Sequence, residues 1–128
     1  MKQYRKDALM LRKLFSRRSH PRYLAEQKTY LVFQPSTSKE KKFQVIDISE
    51  GGCAFIYHGD EKDIEKVSFV SLMRNNDPQI ERINITTAND QPASGPFRRR
   101  GVEFRWLGLL DEKKLRDFIK KVSICEIK

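Results

Sequence analysis

Apolar and polar positions alternate along the middle of the chain, which is the two-residue period of a β-strand with one buried face. Clusters of turn-forming residues interrupt this alternation at short intervals. Six segments show the pattern: TYLVFQ, FQVIDIS, GGCAFIYHG, EKVSFVSLM, QIERINITTAN and FRRRGVEFRWLG. Short strands separated by turns, without helices between them, predict a small antiparallel barrel.

The last predicted strand has two distinct faces. Val102, Phe104 and Trp106 share one face, which we predict to be part of the core, and Glu103 and Arg105 share the other. The segment NDQPASGP before this strand is the clearest predicted loop.

Helical spacing appears at both ends of the chain. The segment LLDEKKLRDFIKKVSI predicts an amphipathic helix with Asp111 as its N-cap. Near the N-terminus, Gln3–Ser16 predicts a short basic helix. Its apolar stripe consists of Tyr4, Ala8, Leu11 and Phe15. We expect this helix to dock on the body of the domain rather than on a membrane, because its apolar positions are mostly Leu and Met.

Length and composition indicate one globular domain. The chain has 128 residues, 38% of them hydrophobic and 34% charged. It contains no apolar run of about 18 residues that could span a bilayer, so a cytoplasmic location is expected.

The positive charge is concentrated at the N-terminus. Of the net charge of +9, residues 1–28 carry nine Lys or Arg against two acidic residues. A cationic arm on a nearly neutral body suggests an anionic partner, which could be a phosphate ligand, a nucleic acid or a membrane surface. A solubilising terminus is the alternative.

Residues with catalytic or metal-binding chemistry are sparse. Cys53 and Cys125 are far apart in apolar surroundings, and we expect both to be buried free thiols. These cysteines and the two histidines, His20 and His58, show no metal-ligand spacing. No nucleophile elbow or phosphate-binding glycine loop occurs, so an enzyme is not expected and no cofactor is implied.

Two groups of polar residues are candidates for a binding site. Arg17, Arg18 and Arg22 precede the first predicted strand, and guanidinium forks fit phosphate oxygens and the O6 and N7 acceptors of guanine. Asp47 and Ser49 stand two apart at a strand end, so they point to the same side. A carboxylate can accept from the N1 and N2 donors of guanine. A solvated charge run and a capped hairpin turn are the alternatives.

The pair Gly51 and Gly52 follows Ser49. Two glycines there would permit a tight turn with positive φ and let a flat base approach the backbone.

Together these groups resemble the signature of the PilZ domain family. Its pattern is R-x-x-x-R followed after 20 to 30 residues by [D/N]-x-S-x-x-G, and the chain has R18-S-H-P-R22 and D47-I-S-E-G-G52. The late segment RRRGVEFRWL and the closing helix are also similar to the family. The resemblance implies an all-β fold, a six-stranded antiparallel β-barrel with a C-terminal α-helix, here preceded by the short basic N-terminal helix or arm of residues 1–16. Residues 17–128 would form the barrel domain.

The resemblance also implies a ligand, the bacterial second messenger cyclic diguanylate (c-di-GMP). By position, Arg18 and Arg22 would hold its phosphates and guanine edges, and Arg17 would stack on its bases. Asp47 and Ser49 would read a guanine, and Gly52 would keep the turn open. The implied role is a sensor that changes conformation to regulate an unidentified protein partner.

Two other functions and the position of one arginine run are also considered. The alternatives to a c-di-GMP sensor are a small barrel that binds single-stranded nucleic acid and a PilZ-like adaptor that docks proteins without ligand. The carboxylate of Asp47 beside the arginines argues against the nucleic-acid binder. The arginine run Arg98 to Arg100 could border the ligand, but we favour a position on the barrel rim.

Overall fold

The computed structural model describes residues 20–61, 64 and 69–128. The strands in that part of the chain are β1 (Arg22–Ala25), β2 (Thr29–Phe33), β3 (Lys41–Ser49), β4 (Gly52–His58), β5 (Phe69–Arg74), β6 (Asp77–Pro92), β7 (Phe97–Arg105) and β8 (Ser123–Ile127). The helix, α1 (Leu109–Val122), lies between β7 and β8. The predicted N-terminal helix and the start of the predicted fourth strand lie outside the described residues.

Six strands close into an antiparallel barrel. Their order is β2, β5, β6, β7, β4 and β3, and β3 then pairs with β2. The first part of β3 pairs with β2 and its second part with β4, so this strand turns the corner that closes the barrel. The predicted fold, a six-stranded antiparallel barrel with a C-terminal helix, is confirmed.

The apolar face of each strand fills the barrel. Phe55, Leu31 and Ile48 are fully buried, and the ring of Phe55 lies 5.5 Å from that of Phe33 in an edge-on arrangement. Helix α1 adds its apolar stripe to the same core through the buried residues Leu115, Phe118, Ile119 and Val122. Burying one such large side chain stabilises the fold by about 1.5 to 3 kcal/mol.

Two short strands extend the barrel beyond the prediction. β1 pairs with the end of β3, placing Leu24 opposite Asp47, and β8 pairs with the other edge of β1. The sequence pattern predicts the first strand at Thr29 and continues the last helix through Ile124. Both are wrong because β1 and β8 form by pairing with distant residues, and segments this short carry little periodicity of their own.

The turn between β7 and α1 departs from the predicted alternation. Trp106 was expected in the core with Val102 and Phe104, but it is exposed and its φ is 54°. A left-handed residue changes the direction of the chain, so the alternation ends at β7. The predicted cap Asp111 is also wrong, since Gly108 is the N-cap and its carbonyl accepts from Glu112 N at 2.9 Å. Asp111 instead lies in the first turn, where its charge favours the helix dipole.

The predicted loop NDQPASGP is shorter than expected. β6 continues through Pro92, which pairs with Arg98 of β7, so the connection is reduced to residues 93–96. This end of β6 is exposed and its side chains are mostly polar, so the sequence there lacks the alternation that predicts a strand.

The two cysteines differ in environment. Both are free; Cys53 is buried, as predicted, whereas Cys125 is exposed and its predicted burial is wrong. Cys125 lies on β8, outside the closed barrel. In the described part of the chain, no helix is long and apolar enough to cross a membrane.

Candidate functional site

A cavity of about 430 Å³ lies on the outer face of the barrel, over β3, β4, β6 and β7. Gly52 and Ala54 of β4 line the cavity. The next residue of the strand, Phe55, lies on the opposite face and belongs to the core. Ala54 pairs with Gly101 of β7, so small residues on adjacent strands leave a hollow in the sheet surface. Its volume is within the range of small-molecule sites. The polar lining residues are His20, Arg22, Asp47, Ser49, Asn89, Arg99 and Glu103.

Asp47 and Ser49 both line the cavity, as their spacing predicts. The hydroxyl of Ser49 accepts a hydrogen bond from Gly51 N at 3.1 Å and donates to the carbonyl of Gly52 at 3.4 Å. Ser49 therefore caps the turn between β3 and β4 as well as facing the cavity, so the two roles considered for it are compatible.

Arg99 lines the cavity, a position that the sequence alone leaves open for the run Arg98 to Arg100. Its Nη2 donates to Oδ2 of Asp47, which is itself buried. Of the two positions considered for the arginine run, the favoured one on the barrel rim is wrong for Arg99. The alternation of β7 was the available signal, because Arg99 shares a face with Gly101 and Glu103, both of which also line the cavity.

The neighbouring arginines point to the opposite face of β7. Arg98 Nε and Arg100 Nε donate to the two oxygens of Asp90 at 2.5 and 2.8 Å, and the hydroxyl of Tyr57 also donates to Asp90. Burial alone would raise the pKa of Asp90, but the hydrogen bonds from Tyr57, Arg100 and Arg98 outweigh it and hold that pKa below its usual value. We call these four residues the Asp90 cluster.

The glycines at the turn have a different role from the one expected. Neither Gly51 nor Gly52 has a positive φ, so that part of the prediction is wrong. A Cβ on Gly52 would lie 2.0 Å from the carbonyl oxygen of Val102, which means that β4 and β7 approach too closely for any side chain. A Cβ on Gly51 would lie 3.1 Å from Cδ2 of His20.

Of the predicted arginines, Arg22 is placed at the cavity and Arg17 and Arg18 lie outside the described residues. Arg22 begins β1, and the pairing of Leu24 with Asp47 brings the start of this strand beside the end of β3. The fold thus joins two segments that are about 25 residues apart in sequence.

The described residues contain no group of three or more His, Cys, Asp or Glu side chains arranged to hold a metal ion. The polar groups that do converge on the cavity are hydrogen-bonding and ionic: two guanidiniums, two carboxylates, a hydroxyl, an amide and an imidazole. Such a set can bind a polar, planar ligand by charge and directed hydrogen bonds.

The structure is that of a small-barrel domain with a polar cavity on its outer face. The model of the PilZ domain matches residues 16–121, a range that includes all the predicted site residues, and the chain belongs to this family. A search of curated proteins gives no significant match.

Several solved structures share the fold. The K. pneumonia MrkH–c-di-GMP complex has a TM-score of 0.63 at 21% identity, covering 83% of this chain and 52% of that one. The PilZ domain of YcgR from Escherichia coli with c-di-GMP has a TM-score of 0.58 at 14% identity, covering 84% and 92%. The Bacillus subtilis inhibitor of motility, MotI, has a TM-score of 0.56 at 14% identity, covering 84% and 51%. The chain spans about half the length of the MrkH and MotI chains.

Proposed function

We propose that the chain is a c-di-GMP receptor and that the outer-face cavity is its binding site. The observation that carries the proposal is the meeting of Arg22, Asp47 and Ser49 at one cavity, in a chain that belongs to the PilZ domain family. Two of the structures similar to it, those of MrkH and YcgR, contain c-di-GMP.

Four of the cavity residues have a defined role in this proposal. Asp47 accepts hydrogen bonds from N1 and N2 of a guanine, and the neighbouring Ser49 hydroxyl orients the base. Arg22 donates to a phosphate or to the O6 and N7 edge of guanine. Gly52 acts indirectly, since it permits the close approach of β4 and β7 and leaves the cavity surface without a side chain at that position.

The charges that line the cavity suggest a separate role for Arg17 and Arg18, which precede β1. Arg22 and Arg99 are offset in the cavity by Asp47 and Glu103, so the described lining provides no excess positive charge for a dianionic ligand. Arg17 and Arg18 lie three and two positions before the cavity residue His20 in the chain. We propose that Arg18 binds phosphate and that Arg17 stacks on a base, which supplies the missing attraction.

Calorimetric titration of the purified chain with c-di-GMP tests the proposal. Three or four charge-assisted hydrogen bonds of about 1.5 to 3 kcal/mol, reduced by the cost of ordering the arm, lead to an expected Kd on the order of micromolar. Cyclic diadenylate is the matched control ligand, because adenine has no N1–H or N2–H donor for Asp47. The absence of heat at tens of micromolar c-di-GMP, or equal binding of both dinucleotides, would contradict the proposed site.

The double substitution Arg18→Ala, Arg22→Ala is expected to abolish binding without unfolding the barrel. Arg82→Ala is a matched control, because Arg82 lies on β6 over the ring of Phe69 at 4.1 Å and does not line the cavity. If the control loses affinity as strongly as the double variant, a nonspecific effect of charge would explain both.

We further propose that ligand binding fixes residues 17–22 against the barrel and thereby changes the surface offered to a protein partner. A dianionic ligand that contacts both the arm and the barrel must favour the state in which they are joined. Hydrogen exchange at residues 17–22, measured with and without c-di-GMP, is expected to slow by at least tenfold in the complex. Unchanged exchange in a saturated complex would refute the switch while leaving the receptor proposal intact.

A further inference from the structure

Three large apolar side chains are exposed together at the turn from β7 into α1. Trp106, Leu109 and Leu110 are 82%, 86% and 67% exposed, and we call them the apolar turn patch. Single exposed apolar residues are common on protein surfaces, but a contiguous group with a tryptophan usually marks a contact surface.

The backbone at Trp106 supports a role for its exposure. Its φ of 54° lies in the left-handed region, which a bulky aromatic residue rarely adopts. Continued alternation would have turned the ring into the core, as the sequence pattern predicted. The strained turn presents the ring to solvent instead, and such strain is concentrated at functional positions.

The described residues begin at His20, close to the end of the strand that leads into this patch. A Cβ on Gly51 would lie 3.1 Å from the ring of His20, and the carbonyl of Gly51 accepts from Phe104 N at 3.0 Å. Trp106 follows Phe104 by two residues. Phe15 precedes His20 by five residues, and five residues of extended chain reach about 17 Å. The apolar positions of the N-terminal segment therefore have the reach to contact the apolar turn patch.

Charge and pattern also fit. Residues 1–19 contain seven Lys or Arg and one acidic residue, and their apolar groups Tyr4, Ala8, Leu11 and Phe15 recur at helical spacing. Asp111 and Glu112, in the first turn of α1, directly follow Leu109 and Leu110. A basic amphipathic segment is complementary both to the patch and to this acidic turn.

We propose that residues 1–16 dock on the apolar turn patch, with the stripe Tyr4, Ala8, Leu11 and Phe15 covering Trp106, Leu109 and Leu110. The docked segment would place Arg17 and Arg18 between two anchors, the patch on one side and His20 at the cavity on the other. This inference does not depend on c-di-GMP binding, and its test uses no ligand.

Trp106 is the single tryptophan of the chain, so intrinsic fluorescence reports the patch directly. In the full chain we expect a blue-shifted emission and protection from acrylamide quenching. Removal of residues 1–16 should shift the emission to that of a solvated indole and raise the quenching constant at least twofold. If emission and quenching are the same in both forms, the segment does not cover the patch and the proposal is wrong.

Point variants keep the test valid if truncation unfolds the barrel. Leu11→Ser with Phe15→Ser should expose Trp106 as truncation does, at unchanged far-ultraviolet circular dichroism of the strands. Lys6→Ser with Lys13→Ser, on the opposite side of the helical wheel, is the matched control and should leave the emission in place. Equal exposure by both pairs would overturn the assignment of the stripe.

Two other occupants give different results. Protection of Trp106 that disappears on dilution would identify a second copy of the chain as the covering partner. A solvated Trp106 that becomes protected only on vesicles of anionic lipid would identify a membrane surface. Either result would replace the proposed docking, whereas concentration-independent protection without lipid that the stripe variants abolish supports it.

Discussion

Consecutive arginines of β7 form two ion-pair sites with opposite surroundings. Arg99 bonds to Asp47 on the outer face of the barrel and lines an open cavity. Arg98 and Arg100 bond to Asp90 on the other face, where Tyr57 donates to the same carboxylate. Arg100 is 7% exposed, and its guanidinium lies 5.4 Å from the Tyr57 ring centre.

The difference shows how one run of like charges serves two purposes. At the cavity, a ligand can take over the hydrogen bonds of Asp47 and Arg99, because the space beside them is open. In the Asp90 cluster, both carboxylate oxygens already accept from arginines, so exchange would leave the buried guanidinium of Arg100 without this carboxylate. We therefore expect substitutions at the first pair to change ligand affinity and substitutions at the second to change stability.

The largest expected effect is that of Asp90→Asn on stability. The amide keeps the shape but removes the charge that Arg98 and Arg100 share, so the free energy of unfolding should fall by about 2 to 3 kcal/mol, less than for a fully buried pair. Chemical denaturation measures this loss, with Asp60→Asn, an exposed carboxylate, as the control. Affinity for c-di-GMP should change less than threefold, and a tenfold change would contradict the separation of the two sites.

Asp47→Asn should have the converse effect. Loss of the acceptor for N1 and N2 of guanine is expected to weaken c-di-GMP binding by about 1.5 to 3 kcal/mol, or roughly tenfold to 150-fold. The free energy of unfolding should fall by only about 1 kcal/mol, because Arg99 can turn towards the open cavity. Calorimetry measures the affinity and chemical denaturation measures the stability, both on the same preparation. A large loss of stability with unchanged affinity would contradict the role of Asp47 in binding.

Arg99→Gln should give a smaller loss of affinity. If Arg99 holds the Asp47 carboxylate in position, its removal should weaken binding by about 1 kcal/mol, or roughly fivefold. In a double-mutant cycle with Asp47→Asn, the second substitution should add almost nothing to the first. Fully additive effects would show that Arg99 acts on the ligand independently of Asp47.

The smallest expected effect is on the dependence of stability on pH. The pKa of Asp90 in the folded chain is lowered from 3.8, so its charged form stabilises the fold above that pH. This contribution is lost as the pH falls through the lower folded pKa. Denaturation from pH 5 to pH 2 should therefore show the wild type losing more stability than Asp90→Asn, so the gap between them narrows. If the difference in unfolding free energy between the two proteins stays constant over this pH range, protonation of Asp90 does not contribute to the loss of stability in acid.

The sequence predicted what alternation and local spacing can encode. The six barrel strands, the buried stripe of α1 and the shared side of Asp47 and Ser49 all follow from the positions of apolar and polar residues along single segments. The position of Arg99 could not be decided from the sequence, because its place at the cavity depends on the register of β7 with β4, which is set by residues distant in sequence. Trp106 was misplaced because nothing in its own segment, such as a glycine at 106, signals the left-handed turn.

The contrast between the two thiols has a practical consequence for labelling. Burial, with the negative charge of Asp47, raises the pKa of Cys53, so this thiol stays protonated and poorly nucleophilic. Cys125 is exposed and pairs across β8 and β1 with Leu24, two residues after Arg22. A maleimide dye or spin label should therefore attach at Cys125 alone in the native protein. The wild-type chain thus carries its own attachment point for a distance probe, on the strand next to the one that brings Arg22 to the cavity.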